Sequence, residues 1–213
     1  AVYEACVKLR QDLDSRPWQP GEERRAEYYY ACDPCFAIGD FEGAKKRGAK
    51  YRNFPAYAYA TQAAIVEVDR ETGEVRLLKV IAAHDVGRAI NPHIIEGQMH
   101  GSCSMGQGYA LTEGYPTENG YPVKTLYRQL GLPRAEDTPD YEIILIEDPE
   151  PQGPFGAKGI SEVATVPVTP AILNAVSRAI GVRINKVPAS PEVVLEAIRT
   201  GKCDVPTMEQ QIK

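Results

Sequence analysis

Glu162 closes a glycine-rich loop, Gly153-Pro154-Phe155-Gly156-Ala157-Lys158-Gly159-Ile160-Ser161-Glu162, in which three glycines fall within seven residues. Glycine lets a backbone turn sharply and approach a bulky ligand with no side chain in the way. A carboxylate delivered at the end of such a loop is a general base, a solvated surface group or a helix-terminal charge near residue 169. Its neighbours Ile160 and Val163 to Val166 predict apolar surroundings, the setting in which a carboxylate can serve as a base near neutral pH.

Other residue groups could also do chemistry. Cys32-Asp33-Pro34-Cys35 has the two-cysteine spacing of zinc sites and redox dithiols, but no second pair or His-x₃₋₅-His follows, so two ordinary thiols are the simpler reading. His84, His93 and His100 are the only histidines. Two of them with Glu96 could bind a metal, yet the HExxH spacing is absent and structural roles are favoured. Gly106-Gln107-Gly108 resembles part of a dinucleotide fingerprint without its strand-turn-helix context. Gln98, which can donate and accept hydrogen bonds at once, is open to a ligand or a solvent role.

The elements that must position these groups follow from periodicity. Residues 1–14 have helical spacing, and residues 22–55 read as irregular or short strands. Ala64–Asp69 and Glu74–Val80 form a hairpin around Glu71-Thr72-Gly73, and its second strand continues towards Gly87. Asn91 and Pro92 predict a helix start, with the helix running over Ile94–Leu111 despite four internal glycines. Each glycine costs a solvated helix roughly 1 kcal/mol, so close packing against backbone or ligand is expected there. Tyr141–Glu147 reads as a strand, with helices at Thr169–Ile180 and Pro191–Thr200.

Composition bounds the function. The 213 residues are 43% hydrophobic and 25% charged with a net charge of −5, values of an ordinary globular protein large enough for a sizeable core. No basic stripe suggests a nucleic-acid partner, and no apolar run reaches the roughly 18–20 residues of a membrane span. Five cysteines without framework spacing fit reduced thiols in the cytoplasm. No signal peptide is visible, and the missing initiator methionine suggests a processed chain or a fragment.

The order Asp85-Val86-Gly87, Asn91-Pro92, Gln98-x-x-Gly101, Gly106-Gln107-Gly108-Tyr109-Ala110-Leu111-Thr112-Glu113 and Gly156-Ala157-Lys158-Gly159-Ile160-Ser161-Glu162 resembles the xanthine oxidase family. The match is to the C-terminal part of its molybdenum-binding subunit, and it is weakest over residues 17–55 and 114–140. The resemblance implies an α+β fold, a mixed sheet with packed helices that forms the second half of a molybdopterin-binding domain. Residues 1–213 would be that portion, with a possible sub-boundary near 114–140.

It also implies roles. Glu162 matches the catalytic base, Gln98 the glutamine that contacts the pterin, and Lys158, Gly159 and Ser161 lie on the loop that meets the cofactor. None of these is implied to ligate the metal. Ser161 stands where the family usually has glycine. The implied reaction is hydroxylation of an electron-poor carbon of an N-heterocycle or aldehyde. Glu162 would take a proton from a molybdenum-bound hydroxide while hydride passes to a sulfido ligand. Electrons would leave through 2Fe-2S clusters and FAD on other chains, since no cluster cysteine pattern occurs here. The chain is far shorter than family molybdenum subunits. The expected partners are therefore the remaining molybdenum-subunit segment, the iron–sulfur and flavin subunits and a small-molecule substrate. A non-catalytic assembly module of such a complex is the competing expectation.

Overall fold

The computed structural model describes residues 1–30 and 35–202, and the chain divides into two compact units between Pro55 and Ala56. In the first unit, α1 (Val2–Ser15) buries none of its residues. Arg24 staples its C-terminus by donating to the carbonyls of Asp12, Arg16 and Pro17 and pairing with Asp12 and Glu22. A guanidinium there satisfies carbonyls that a helix end leaves without partners. The irregular reading of residues 22–55 needs one correction. A short helix, α2 (Phe41–Lys46), begins where Asp40 caps the Gly43 N–H at 2.9 Å.

The second unit is built on a three-stranded sheet. β1 (Ala60–Val68) and β2 (Val75–Asp85) form the expected antiparallel hairpin. Asp69 fixes its turn by accepting from the N–H groups of Glu71 and Thr72. The pairing shifts between Ile65 and Val66, which makes Leu78 an extra residue on β2. A one-residue bulge reverses which side of the pleat faces inward. Leu77 before it and Val80, Ala82 and His84 after it are therefore all buried.

α3 (Pro92–Leu111) follows, started as expected by Asn91, whose side chain accepts from Ile94 N–H at 3.2 Å. A small hairpin of β3 (Thr117–Glu118) and β4 (Tyr121–Pro122) turns on Asn119-Gly120. The 114–140 segment is tied to α3, since Gln107 donates to the Asp137 carbonyl and Thr112 to that of Gly131. β5 (Asp140–Ile146) then pairs parallel to β2, giving the order β1-β2-β5. The sheet is mixed and carries packed helices, an α+β arrangement.

α4 spans Thr165–Ile180, not the expected Thr169–Ile180. Pro167 falls in the first turn, where no helical N–H partner is required. Pro170 lies inside and leaves the Val166 carbonyl without its helical donor. Both Val166 and Pro170 are exposed, so water can satisfy that carbonyl. The helix buries Val168, Ile172, Val176 and Ile180 at intervals of four. That stripe packs with Met99, Cys103 and Ala110 of α3 and Val80 and Ala82 of β2 in one core. α5 (Pro191–Thr200) has the bounds expected from sequence and adds Val194 and Ala197.

Candidate functional site

The glycine-rich loop is built onto the end of β2. Val86 donates to the Ile146 carbonyl at 3.0 Å, Lys158 N–H donates to the Val86 carbonyl at 3.0 Å, and Arg88 N–H donates to that of Gly156 at 2.8 Å. The short segment 86–88 is thus gripped by the end of β5 on one side and by the loop on the other. Gly87 has φ 62, and a Cβ there would stand 2.8 Å from the Lys158 nitrogen. Both conformation and space demand glycine. Phe155 takes a left-handed conformation (φ 55), a turn that glycine at 156 (φ 86) completes.

An ion pair reinforces this grip. Lys158 Nζ lies 2.6 Å from Asp85 Oδ2, and the two side chains are only 6% and 7% exposed. Asp85 Oδ1 accepts from the Gly87 N–H at 3.0 Å. Burial by itself pushes the Asp85 carboxyl up, but the Lys158 ammonium and the Gly87 N–H outweigh it and hold it below the ordinary aspartate range. The Asp85 partner holds the Lys158 amine above its ordinary value. The pair is therefore charged on both sides across the working pH range. Exposed Asp148 lies 3.5 Å from the same amine.

Beyond Lys158 the loop opens. Gly159, Ser161 and Glu162 are exposed, and nothing lies within 4 Å of where a Gly159 Cβ would stand. The described residues do not supply the apolar enclosure of Glu162 expected from its neighbours: Glu162 is exposed and Val166 itself is 72% exposed. The backbone around Glu162 is nevertheless fixed. Ser102 on α3 donates its hydroxyl to the Ser161 carbonyl at 2.9 Å. Gln62 on β1 donates to the Ala164 carbonyl at 2.8 Å. The Glu162 carbonyl accepts from the Thr165 N–H at 3.0 Å and starts α4.

Gln98 is exposed on α3, four residues before Ser102. That spacing puts the two on one helical face, one turn apart. The face bearing Gln98 is free of close neighbours at its glycines, with nothing within 4 Å of a Cβ at Gly97 or Gly101. Ser102 thus ties α3 to the 159–162 segment, with Gln98 one turn away along the helix, whereas the Lys158 amine is engaged with Asp85.

Sequence patterns do not single out Gln62 or Ser102, and they give His84 only a structural role. Gln62 Nε2 lies 2.8 Å from His84 Nε2. Since the Ala164 carbonyl can only accept, the Gln62 atom facing both groups is the amide nitrogen, and His84 Nε2 must be an acceptor. His84 is fully buried, with no partner at Nδ1 among the described residues, and burial lowers its pKa, which favours the neutral ring. No spacing pattern announces this contact, because the groups come from different strands. Nearby Cys103 is also buried, which pushes its thiol up to about 11 and leaves it unreactive.

Cys32, Asp33 and Pro34 lie outside the described residues, and Cys35 is half-buried. Among the described residues no three His, Cys, Asp or Glu side chains are grouped to hold a metal ion, and no helix is long and apolar enough to cross a membrane. A groove of about 1480 Å³ lies between the β1–β2 turn, the end of α3 and the 127–140 segment, and shares no residue with the site above.

Residues 18–139 match the molybdopterin cofactor-binding domain family. A probable xanthine dehydrogenase subunit of Bacillus subtilis (strain 168) is 38% identical over 142 residues, covering 67% of this chain and 19% of that protein. An aldehyde oxidoreductase of Megalodesulfovibrio gigas is 37% identical over 147 residues, covering 68% of this chain and 16% of that protein. The crystal structure of quinoline 2-oxidoreductase from Pseudomonas putida 86 superimposes with a TM-score of 0.63 at 34% identity, over 67% of this chain and 19% of that one. The chain thus spans less than a fifth of the length of each of these proteins.

Proposed function

The chain belongs to the molybdopterin cofactor-binding domain family, shared with xanthine dehydrogenase and aldehyde oxidoreductase-type proteins, and on that premise we propose that it is part of a molybdenum hydroxylase. The substrate class is an N-heterocycle or an aldehyde, and Glu162 is the general base. The residues present fit one face of the cofactor. Gly97, Gly101 and Gly159 leave open the space that a Cβ would fill. Exposed Gln98 offers a donor and an acceptor for the pterin edge. The loop backbone from Lys158 to Ser161 would lie along the same face, its glycine permitting close approach.

When bound, the molybdenum centre supplies the water-derived nucleophile and accepts two electrons. The net change turns C–H and water into C–OH, two protons and two electrons. This chain's part is to orient the cofactor and, through Glu162, to remove a proton from the nucleophile. The remaining molybdenum-subunit segment completes the pocket and encloses Glu162. Iron–sulfur and flavin subunits, with 2Fe-2S and FAD, carry the electrons away.

The observation that carries this reading is an exposed Glu162 on a backbone fixed on both sides by side chains of other elements, buried Ser102 and half-buried Gln62. Such preorganisation is what general-base catalysis needs, and a positioned base contributes about 10²–10⁴-fold. The test is Glu162→Gln in the assembled complex. Turnover should fall by about 10²-fold or more while molybdenum content, measured by elemental analysis, is unchanged. Undiminished turnover would remove Glu162 from the chemistry. A cofactor-loaded wild-type complex inactive on both substrate classes would favour the assembly-module reading.

A further inference from the structure

The strongest constraint on Glu162 comes from residues that lie outside the glycine-rich loop. Two carbonyls flank it, that of Ser161 immediately before and that of Ala164 two residues after, and each is held by a side chain from a different element: Ser102 on α3 at 2.9 Å and Gln62 on β1 at 2.8 Å. Ser102 is 9% exposed, so its hydroxyl is largely withdrawn from water. Gln62 is in turn oriented by the fully buried His84, 2.8 Å away. A carbonyl bond on each side ties down the backbone that carries Glu162, while the residue itself stays exposed. The contacts span 59 and 102 residues of sequence, so neither is a by-product of local turn formation.

We infer that Ser102 and Gln62 are positioning residues for Glu162, fixing the base from behind by its two flanking carbonyls, with His84 fixing Gln62. The inference rests on the reading of Glu162 as the base. Ser102 is the cleaner of the two to test, because alanine is a better helix former than serine and leaves the core volume nearly unchanged. Gln62→Met is the second variant.

The first measurement is hydrogen exchange on the full chain, which needs no cofactor. Amides of Thr165 and Val166, which donate to the Glu162 carbonyl, should exchange about 5–10-fold faster in Ser102→Ala and in Gln62→Met, as expected for loss of one hydrogen bond. Amides of the β1–β2 ladder should not change. The second is steady-state kinetics of the assembled complex. Ser102→Ala should lower kcat about tenfold with KM within about twofold, since a displaced base costs rate but not substrate binding. In a Glu162→Gln background the same substitution should cost nothing further.

Unchanged exchange at Thr165 and Val166 in both variants would overturn the positioning role, as would an additive loss in the Glu162→Gln background. Either result would leave the assignment of the base intact. Full activity of Glu162→Gln alone would instead remove the base and the positioning role together.

Discussion

The candidate site has a packed part and an open part, and its glycines differ accordingly. On the packed side a Cβ at Gly106 would overlap Val168, one at Gly108 would sit 2.9 Å from Pro133, and one at Gly87 would meet the Lys158 backbone. On the open side, at Gly97, Gly101 and Gly159, a Cβ would meet nothing within 4 Å. Packing explains the first set fully: helix α4 approaches α3 at Gly106 closely enough to exclude a methyl group. Among the described residues no packing contact explains the second set. A helix that carries glycines without packing against them gives up stability, and the open side is where Gln98, Ser161 and Glu162 also lie exposed. One set of glycines belongs to the fold; the other, on the function proposed above, belongs to the cofactor that the fold would receive.

The largest effect that would test this division is at the ion pair. Lys158→Met leaves the buried Asp85 carboxylate without its counter-charge and should lower the unfolding free energy by about 3 kcal/mol, read from urea denaturation. Adding Asp85→Leu should recover most of that loss, because two apolar groups of similar size replace a buried pair at little cost. If Lys158→Met is neutral, the loop is not anchored there and the packed side is smaller than described.

A paired substitution sharpens the contrast. Gly106→Ala should destabilise by about 1–3 kcal/mol through overpacking against Val168. Gly101→Ala should be neutral or stabilise by up to about 1 kcal/mol, yet reduce the molybdenum retained by the assembled complex. Equal thermal shifts for the two variants would erase the distinction.

The smallest effect is in pH. Burial lowers the pKa of His84, so its folded value lies below its unfolded one, near 6.5. Above that value histidine is neutral in both states and the Gln62–His84 contact contributes fully. As pH falls below it the unfolded chain takes up the proton first, and stability is lost down to the folded pKa. Asp85, also depressed, contributes above the unfolded aspartate value of about 4, and its share is lost at lower pH still. Melting temperature should therefore begin to drop below about pH 6.5, and less so in His84→Gln. A flat profile from pH 8 to 5 would argue against the neutral, buried histidine.

Much of this is legible in the chain. The Asn91-Pro92 helix start, the hairpin, α5 and the glycine-rich loop all rest on local chemistry, in which the residues that decide the structure stand next to each other. What is not legible depends on distance or on small displacements. The bulge at Leu78 inverts the inward face of β2 and so buries His84, an effect no alternation pattern contains. α4 begins before Pro167 because a first turn tolerates proline, whereas proline read as a breaker places the start after it. α2 escapes periodicity because six residues carry little of it, although the Asp40-x-x-Gly43 cap is its visible sign. The Gln62–Ala164 and Lys158–Asp85 contacts join residues 102 and 73 apart, beyond any motif.

Those separations carry a consequence for the order of events in folding. Contacts between residues far apart in sequence require most of the intervening chain to be organised before they can form. β5 must come back to lie beside β2, and α4 must reach β1, before Asp85 meets Lys158 or Gln62 meets the Ala164 carbonyl. The segment that presents Glu162 thus closes late. A nascent chain released before α4 is complete holds the whole hairpin, α3 and the Gln62–His84 contact, but lacks the Ala164 carbonyl that Gln62 reaches and the apolar stripe of α4 that covers the sheet.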